Sequence, residues 1–307
     1  MRAAGIERFG DAVQMLELTE PRALRDGEVL VEVRAAGVGN WDDIVRAGEW
    51  DVGRRPPMAL GVEAAGVVAE LGPGVGGWSV GDEVLTHPLP LADQGTWAPW
   101  LIARSEVLAR KPAGASWAVA GAFPVPALTS VQVLDEALQI EPGAKLLVNG
   151  AGGVTGGLIV SLAALRGAEV FATAGASSRE HVIRAGAETV VDYHDADWPQ
   201  QILDATDGRG VDAAANAAPG GATTAMRTVR DGGRLATITL DPPEPERGID
   251  VSSVYVRPDG GQLDAASQAL AAGQLEFRLG SRFPLAQAEA ALARAVAGAG
   301  GAVALEP

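Results

Sequence analysis

Between residues 145 and 173 the chain reads strand, glycine turn, helix, strand, an order that few folds accommodate. Lys145 to Asn149 (KLLVN) is a short apolar run, Gly156 to Leu165 (GGLIVSLAAL) has helical character, and Glu169 to Thr173 (EVFAT) is a second apolar run. A helix that carries the chain from one strand to a parallel neighbour makes a βαβ unit. The alternation continues with a helix around Glu180 to Ala185, a strand Thr189 to Asp192, a helix Pro199 to Thr206, a strand Val211 to Ala215, a helix Ala222 to Arg230 and a strand Arg234 to Thr239. Repeated βα units predict a doubly wound parallel sheet, covered on both faces, with ligands at the carboxyl ends of its strands.

The joint of the first unit is Gly150-Ala151-Gly152-Gly153-Val154-Thr155-Gly156. Small residues there let the chain turn tightly and its backbone approach a pyrophosphate, while free N–H groups at the helix start face negative charge. In a chain of 40 glycines the cluster alone is weak evidence. Its place between a strand and a helix points to a dinucleotide site on Gly150, Gly153, Val154, Thr155 and Gly156, the alternative being a plain packing turn. At the end of the second strand the chain reads Thr173-Ala174-Gly175-Ala176-Ser177-Ser178-Arg179, with no acid until Glu180. An acid there would bond a ribose 2′-hydroxyl, whereas a cation with hydroxyls suits a 2′-phosphate. Arg179 with Ser177 or Ser178 therefore predicts NADPH, and Arg179 as a solvated helix charge is the competing reading.

The first third differs. Gly27 to Val33 (GEVLVEV) alternates apolar and polar residues, and Val62 to Leu71 is an apolar run closed by the glycines of GPGVGG, so a β-rich, barrel-like domain is expected. Helical spacing from Ala118 to Ile140 opens the second domain, and the tail from Leu263 reads as helix, strand and helix that return to the first. The expected division is residues 1–117 with 258–307, and 118–257.

Bulk properties narrow the function. With 24 basic against 39 acidic residues the formal charge is −15, which disfavours nucleic acid and anionic bilayers as partners. There is no 18-residue apolar run and no export signal at the start, so a complete chain working in the cytoplasm is expected. The lack of cysteine rules out thiolate nucleophiles, disulfides and cysteine-ligated zinc. His181 and His194 lie among polar residues without a second ligand at metal spacing, and no metal is expected; His87 is read as a loop histidine or a pocket residue.

Taken together, the chain resembles the medium-chain dehydrogenase/reductases, and within them the zinc-independent, zeta-crystallin-like quinone oxidoreductases. The resemblance runs through GVGNWDDIVRAG, LGVEAAGVVAELGPGV with VGDEV, LTSVQVL, GAGGVTGG and the ending FPLAQAEAAL…GGAVALEP. It implies a GroES-like β-rich catalytic domain, a Rossmann cofactor domain, and a homodimer formed through an edge strand, expected at Val251 to Val256. Residue by residue it matches Gly150, Gly153 and Gly156 to the phosphate turn, Arg179 to the 2′-phosphate, Tyr193 to a tyrosine near the adenosine, and Thr129 to a threonine near the nicotinamide. Asn216 stands where the family often has aspartate. The zinc-dependent branch has a histidine where this chain has Val62, before Glu63. Departures are Gly39 for the family's asparagine, with Asn40 one place later, Ile44 and Trp50 for tyrosines, no cation in the closing GGAVALEP, and a shortened region after Asp241.

These readings predict hydride transfer from NADPH to a quinone or an α,β-unsaturated carbonyl. Asn40 or Thr129 would donate to the developing oxyanion. Asp42 is read as the cap of a helix Asp43 to Ala47. Trp41, Trp50, Trp97 and Trp100 either wall a flat substrate or fill the core. A carbonyl or enoyl reductase of a biosynthetic pathway and a non-catalytic NADPH-binding sensor are the alternatives.

Overall fold

The computed structural model describes residues 1–298 and 300–307. The chain divides into two units, one of Met1–Leu128, Arg257–Ala271 and Arg278–Pro307, the other of Thr129–Val256 and Ala272–Phe277.

The first unit is organised on one long strand, Glu28–Val38. Val29, Val31 and Val33 are buried while Leu30, Glu32 and Arg34 are more open, the alternation expected of a half-covered strand. One side of this strand is shared end to end: residues 28–32 pair with Trp100–Arg104 and residues 36–38 with Ala302–Glu306. Its other side pairs with Ala64–Leu71, which leads to Glu83–Thr86 and Leu108–Arg110. Leu279–Pro284 runs parallel to Ala302–Glu306, and the remaining pairs are antiparallel. A three-stranded sheet, Gln14–Glu17, Arg2–Ile6 and Met58–Ala59, completes the β structure of this unit.

Where one helix was expected over Ala118 to Ile140, the structure has Trp117–Gly121, capped by the Ser116 hydroxyl on the Val119 amide, then Pro124–Gln132 and one π turn, Val133–Ala137. The break precedes Pro124, whose ring supplies no N–H and disfavours helical geometry in the residue before it. The boundary between the units falls after Leu128, inside Pro124–Gln132.

The second unit is a six-stranded parallel sheet in the order Thr189–Val191, Glu169–Thr173, Lys145–Asn149, Val211–Asn216, Val229–Thr237, Asp250–Ser253. The helix Val154–Leu165 is buried along most of its length, which is why its sequence is apolar nearly all round. Leu147, Phe171, Ile202, Ala214 and Leu235 meet in the core beneath the sheet's helices. The helix expected over Ala222 to Arg230 stops at Met226, and the strand expected from Arg234 begins at Val229. Arg247 causes the early stop by donating to the carbonyls of Met226 and Val229, at 2.6 and 2.7 Å. The strand then bulges at its glycine pair, so that Val211 faces Val229 but Ala213 faces Arg234. Among the described residues no helix is long and apolar enough to cross a membrane.

Candidate functional site

The glycine turn lies at the carboxyl end of the central strand Lys145–Asn149, as the βαβ reading requires. Gly150 has φ of +86°, a conformation that glycine adopts without strain. Its amide donates to the Thr173 hydroxyl at 2.9 Å, and that hydroxyl donates to the Asn149 side chain at 2.7 Å. Thr173, expected to border a cofactor, thus also pins the turn to the neighbouring strand. A Cβ on Gly156 would lie 2.3 Å from the Gly150 carbonyl oxygen, so the close approach of helix and turn depends on a bare backbone there. Gly153 is the N-cap of the 12-residue helix, and the amides of Val154 and Thr155 open it. Such amides have no intrahelical acceptor and point at whatever anion the turn holds.

Beneath the turn lies a buried polar network that the sequence reading did not anticipate. The Asn149 amide donates to the Asn216 side-chain oxygen at 2.8 Å, and the Asn216 amide donates to the Thr239 hydroxyl and the Ala218 carbonyl at 2.9 and 3.1 Å. Thr237 and Thr239 both donate to Asp241. Partial burial opposes ionisation of Asp241, but those hydroxyls hold its pKa below the usual carboxylate value. Asn216 therefore spends its amide inside the protein. Replacing Thr173 by valine removes one acceptor and one donor from this network at constant shape. Unpaired buried groups cost about 1–3 kcal/mol, so a roughly tenfold rise in the nucleotide KM is expected, with recovery in Thr173→Ser. Steady-state kinetics on both variants checks this, and an unchanged KM in Thr173→Val would remove the role.

At the far end of the second strand, Ser178 lies against Gly152, and a Cβ on Gly152 would fall 2.5 Å from its hydroxyl. Tyr193 and His194 stack with ring centroids 4.1 Å apart and lie over Gly175. Tyr193 is half exposed. Ser177 and Arg179 are exposed, and Arg179, the first residue of the helix Arg179–Arg184, donates one guanidinium N–H to the Val190 carbonyl at 2.7 Å. An acid that the linear reading missed, Asp192, lies near Arg179 and bonds His194 at 2.7 Å. The amide and ring of His194 hold its pKa low, with Arg179 adding to the effect. It arrives from the next strand, so counting from the glycines does not find it.

In the first unit, Asn40 is the exposed first residue of the helix Asn40–Ala47. Thr129 is buried in Pro124–Gln132 and belongs to the second unit. Asp42 is fully buried and its carboxyl accepts the Gly39 amide at 2.8 Å; it is not the N-cap of a helix from Asp43, as expected, but the third residue of a helix that starts at Asn40 with Gly39 as its N-cap. Glu63 is buried on the Val125 amide at 2.7 Å. Burial pushes Asp42 up to about 8, against the pull of the Gly39 amide. It raises Glu63 well above its usual value, against the pull of the Val125 amide and with Asp42 adding to the rise. His87 is buried outright; its Nδ1 donates to the Val62 carbonyl at 2.6 Å, its Nε2 has no partner, and burial lowers its pKa to about 4. Trp97 is a core residue donating to the Gly37 carbonyl, while Trp50 stands 6.4 Å from the His87 ring.

This donor set does not fit a zinc ion. Gly39 offers no ligand and the Trp41 indole fills the space beside it, Val62 is apolar, and Asp42, Glu63 and His87 each bond the backbone. Among the described residues no three histidines, aspartates or glutamates converge as a metal site.

One chain that holds a β-rich unit and a parallel-sheet unit with this turn has the architecture of an oxidoreductase whose residues fit a nicotinamide dinucleotide. The family model for the alcohol dehydrogenase GroES-like domain matches residues 25–122, and that for the zinc-binding dehydrogenase domain matches 154–257. The chain belongs to the medium-chain dehydrogenase/reductase superfamily. It is 36% identical over 220 residues, 69% of its length, to the phenolphthiocerol synthesis polyketide synthase type I Pks15/1 of Mycobacterium marinum. Over 200 residues, 64% of its length, it is 36% identical to erythronolide synthase EryA2 of Saccharopolyspora erythraea. It spans 10% and 5% of those two proteins. A solved NAD-dependent alcohol dehydrogenase superposes with a TM-score of 0.90 at 26% identity, covering 100% of both chains.

Proposed function

We propose that the chain is an NADPH-dependent, zinc-independent reductase of conjugated carbonyl compounds, enones, enoyl esters and quinones among them. The observation that carries this reading is the pairing of a dinucleotide turn with a donor set unfit for zinc. Without a Lewis acid to polarise an isolated carbonyl, the acceptor must bring its own activation, and conjugation supplies it. The bound nicotinamide supplies a hydride, and reduction is completed by a proton at the neighbouring carbon or oxygen. The amides of Val154 and Thr155 would hold the diphosphate, Gly150, Gly153 and Gly156 would allow its approach, Thr173 positions the turn, and Gly175 with Tyr193 would border the adenosine. Asn40 and Thr129 are the candidate donors to the developing oxyanion. His87, neutral and with Nδ1–H already committed, is not a proton source.

NADPH is favoured by Arg179, which keeps guanidinium N–H groups beyond the one on Val190, and by Ser177 and Ser178 beside it. The solved alcohol dehydrogenase is NAD-dependent, so the choice rests on these residues. An arginine–phosphate pair contributes about 1.5–3 kcal/mol, so Arg179→Ala is expected to raise the NADPH KM about tenfold or more and to leave NADH unaffected. Equal KM values for NADPH before and after would refute the assignment. The strand Asp250–Ser253 has one neighbour and leaves an edge for pairing with a second copy of the chain. The Mycobacterium marinum relative is named as a polyketide synthase, which favours an enoyl acceptor in a biosynthetic sequence over a free quinone. NADPH oxidation assayed with 2-alkenals, crotonyl pantetheine, benzoquinone and phenanthrenequinone tests the whole reading. Tight NADPH binding with no acceptor reduced would overturn it in favour of a sensor.

A further inference from the structure

We propose that Asp241 is a positioning residue for the dinucleotide turn, acting on Gly150 through a row of hydrogen bonds whose sense it fixes; this rests on the reading of that turn as a nucleotide site. Thr173, Asn149, Asn216 and Thr237 are the last residues of four strands that lie side by side in the parallel sheet. All four are buried, and they form a polar row along the carboxyl edge, where such sheets bind ligands. The row runs from the turn outwards. The Gly150 amide donates to Thr173 at 2.9 Å, Thr173 to the Asn149 oxygen at 2.7 Å, and the Asn149 amide to the Asn216 oxygen at 2.8 Å. The Asn216 amide donates to Thr239 and Thr237 at 2.9 and 3.1 Å, and both hydroxyls donate to Asp241.

Hydroxyls and side-chain amides can be turned either way, so the two ends of the row decide its sense. At one end a backbone N–H can only donate. At the other, a carboxylate can only accept. Partial burial works against ionisation of Asp241, but the Thr239 and Thr237 hydroxyls and the Ala222 amide outweigh it, so the carboxyl stays ionised at neutral pH. Thr237 and Thr239 must then give Asp241 their protons and keep lone pairs for the Asn216 amide. Asn216 thereby turns its oxygen to Asn149, Asn149 turns its oxygen to Thr173, and Thr173 keeps a lone pair for Gly150. A donor in place of the Asp241 oxygens lets the hydroxyls turn back and Asn216 flip. In that reversed row Thr173 accepts from both sides, and its proton has no acceptor.

Fluorescence titration of NADPH on Asp241→Asn, Thr173→Val and the double variant tests this. Asparagine keeps the shape of Asp241 and exchanges one acceptor oxygen for a donor, and the single variant is expected to bind NADPH about tenfold more weakly. In the Thr173→Val chain the row is already cut, so the same change is expected to add less than about twofold, as for groups that act through one network. A residue that only packs would tolerate asparagine, and one that supports the fold separately would add its full loss in both backgrounds. Binding by Asp241→Asn within a factor of two of the parent, or equal losses in the two backgrounds, overturns the proposal and leaves the nucleotide site standing. A parent chain that takes up no NADPH overturns both, and is seen before any variant is made.

Discussion

Gly156→Val is expected to weaken NADPH binding at least a hundredfold in a chain that still folds. A Cβ at this position would meet three backbone atoms within 3.0 Å, the Gly150 carbonyl oxygen first at 2.3 Å. Backbone cannot rotate away as a side chain does, so the helix must withdraw from the turn. Its opening amides then no longer converge with those of the turn on one diphosphate. Overpacking of this kind costs about 1–3 kcal/mol, below the roughly 5–15 kcal/mol that holds a domain together. Fluorescence titration of NADPH measures the loss, and far-ultraviolet circular dichroism reports the retained fold. A variant of native fold that binds within a factor of three of the parent would show that the turn does not cradle the nucleotide.

Asp42→Asn is expected to stabilise the protein at neutral pH, by about 2–4 kcal/mol at pH 7. Below the unfolded-state value of 3.8, folded and unfolded chains both hold the Asp42 proton. From there up to about 8 the folded chain keeps a proton that the unfolded chain releases, so stability falls as pH rises through that window. Glu63, raised in the same direction, adds to the slope. Asparagine retains the oxygen that accepts the Gly39 amide and carries no charge to desolvate. His87 works in the opposite sense: its stability contribution is lost as pH falls from 6.5 towards about 4. Urea denaturation at pH 7 and pH 8.5, where His87 does not titrate, therefore isolates the carboxylates. If Asp42→Asn is less stable than the parent at both pH values, or keeps the parent's decline between them, Asp42 is ionised in the folded chain.

Local patterns made much of this molecule legible. The alternation of Val29, Val31 and Val33, the apolar run KLLVN and the glycines after it are short-range signals, and each lies where its pattern requires. The bond of Asp42 is equally local, its carboxyl three residues past the Gly39 amide that it accepts, although Gly39 and not Asp42 is the N-cap. The misplaced boundaries have different causes: the break before Pro124 is local, the early end of the helix after Ala222 is not. The helix after Ala222 ends early because Arg247, 21 residues beyond Met226, takes its carbonyl, and no window on the sequence contains both.

By itself the sequence determined the two kinds of domain, the position of the dinucleotide turn and the loss of zinc ligands, because strand period, glycine spacing and the absence of a donor atom are written residue by residue. Tertiary structure alone decided which polar groups meet: Asn149 with Asn216, Asp192 with the approach to Arg179, and Asp42, Glu63 and His87 held in apolar surroundings. Hydrogen bonding and desolvation act through space at a few ångströms, between residues that in the chain stand tens of positions apart.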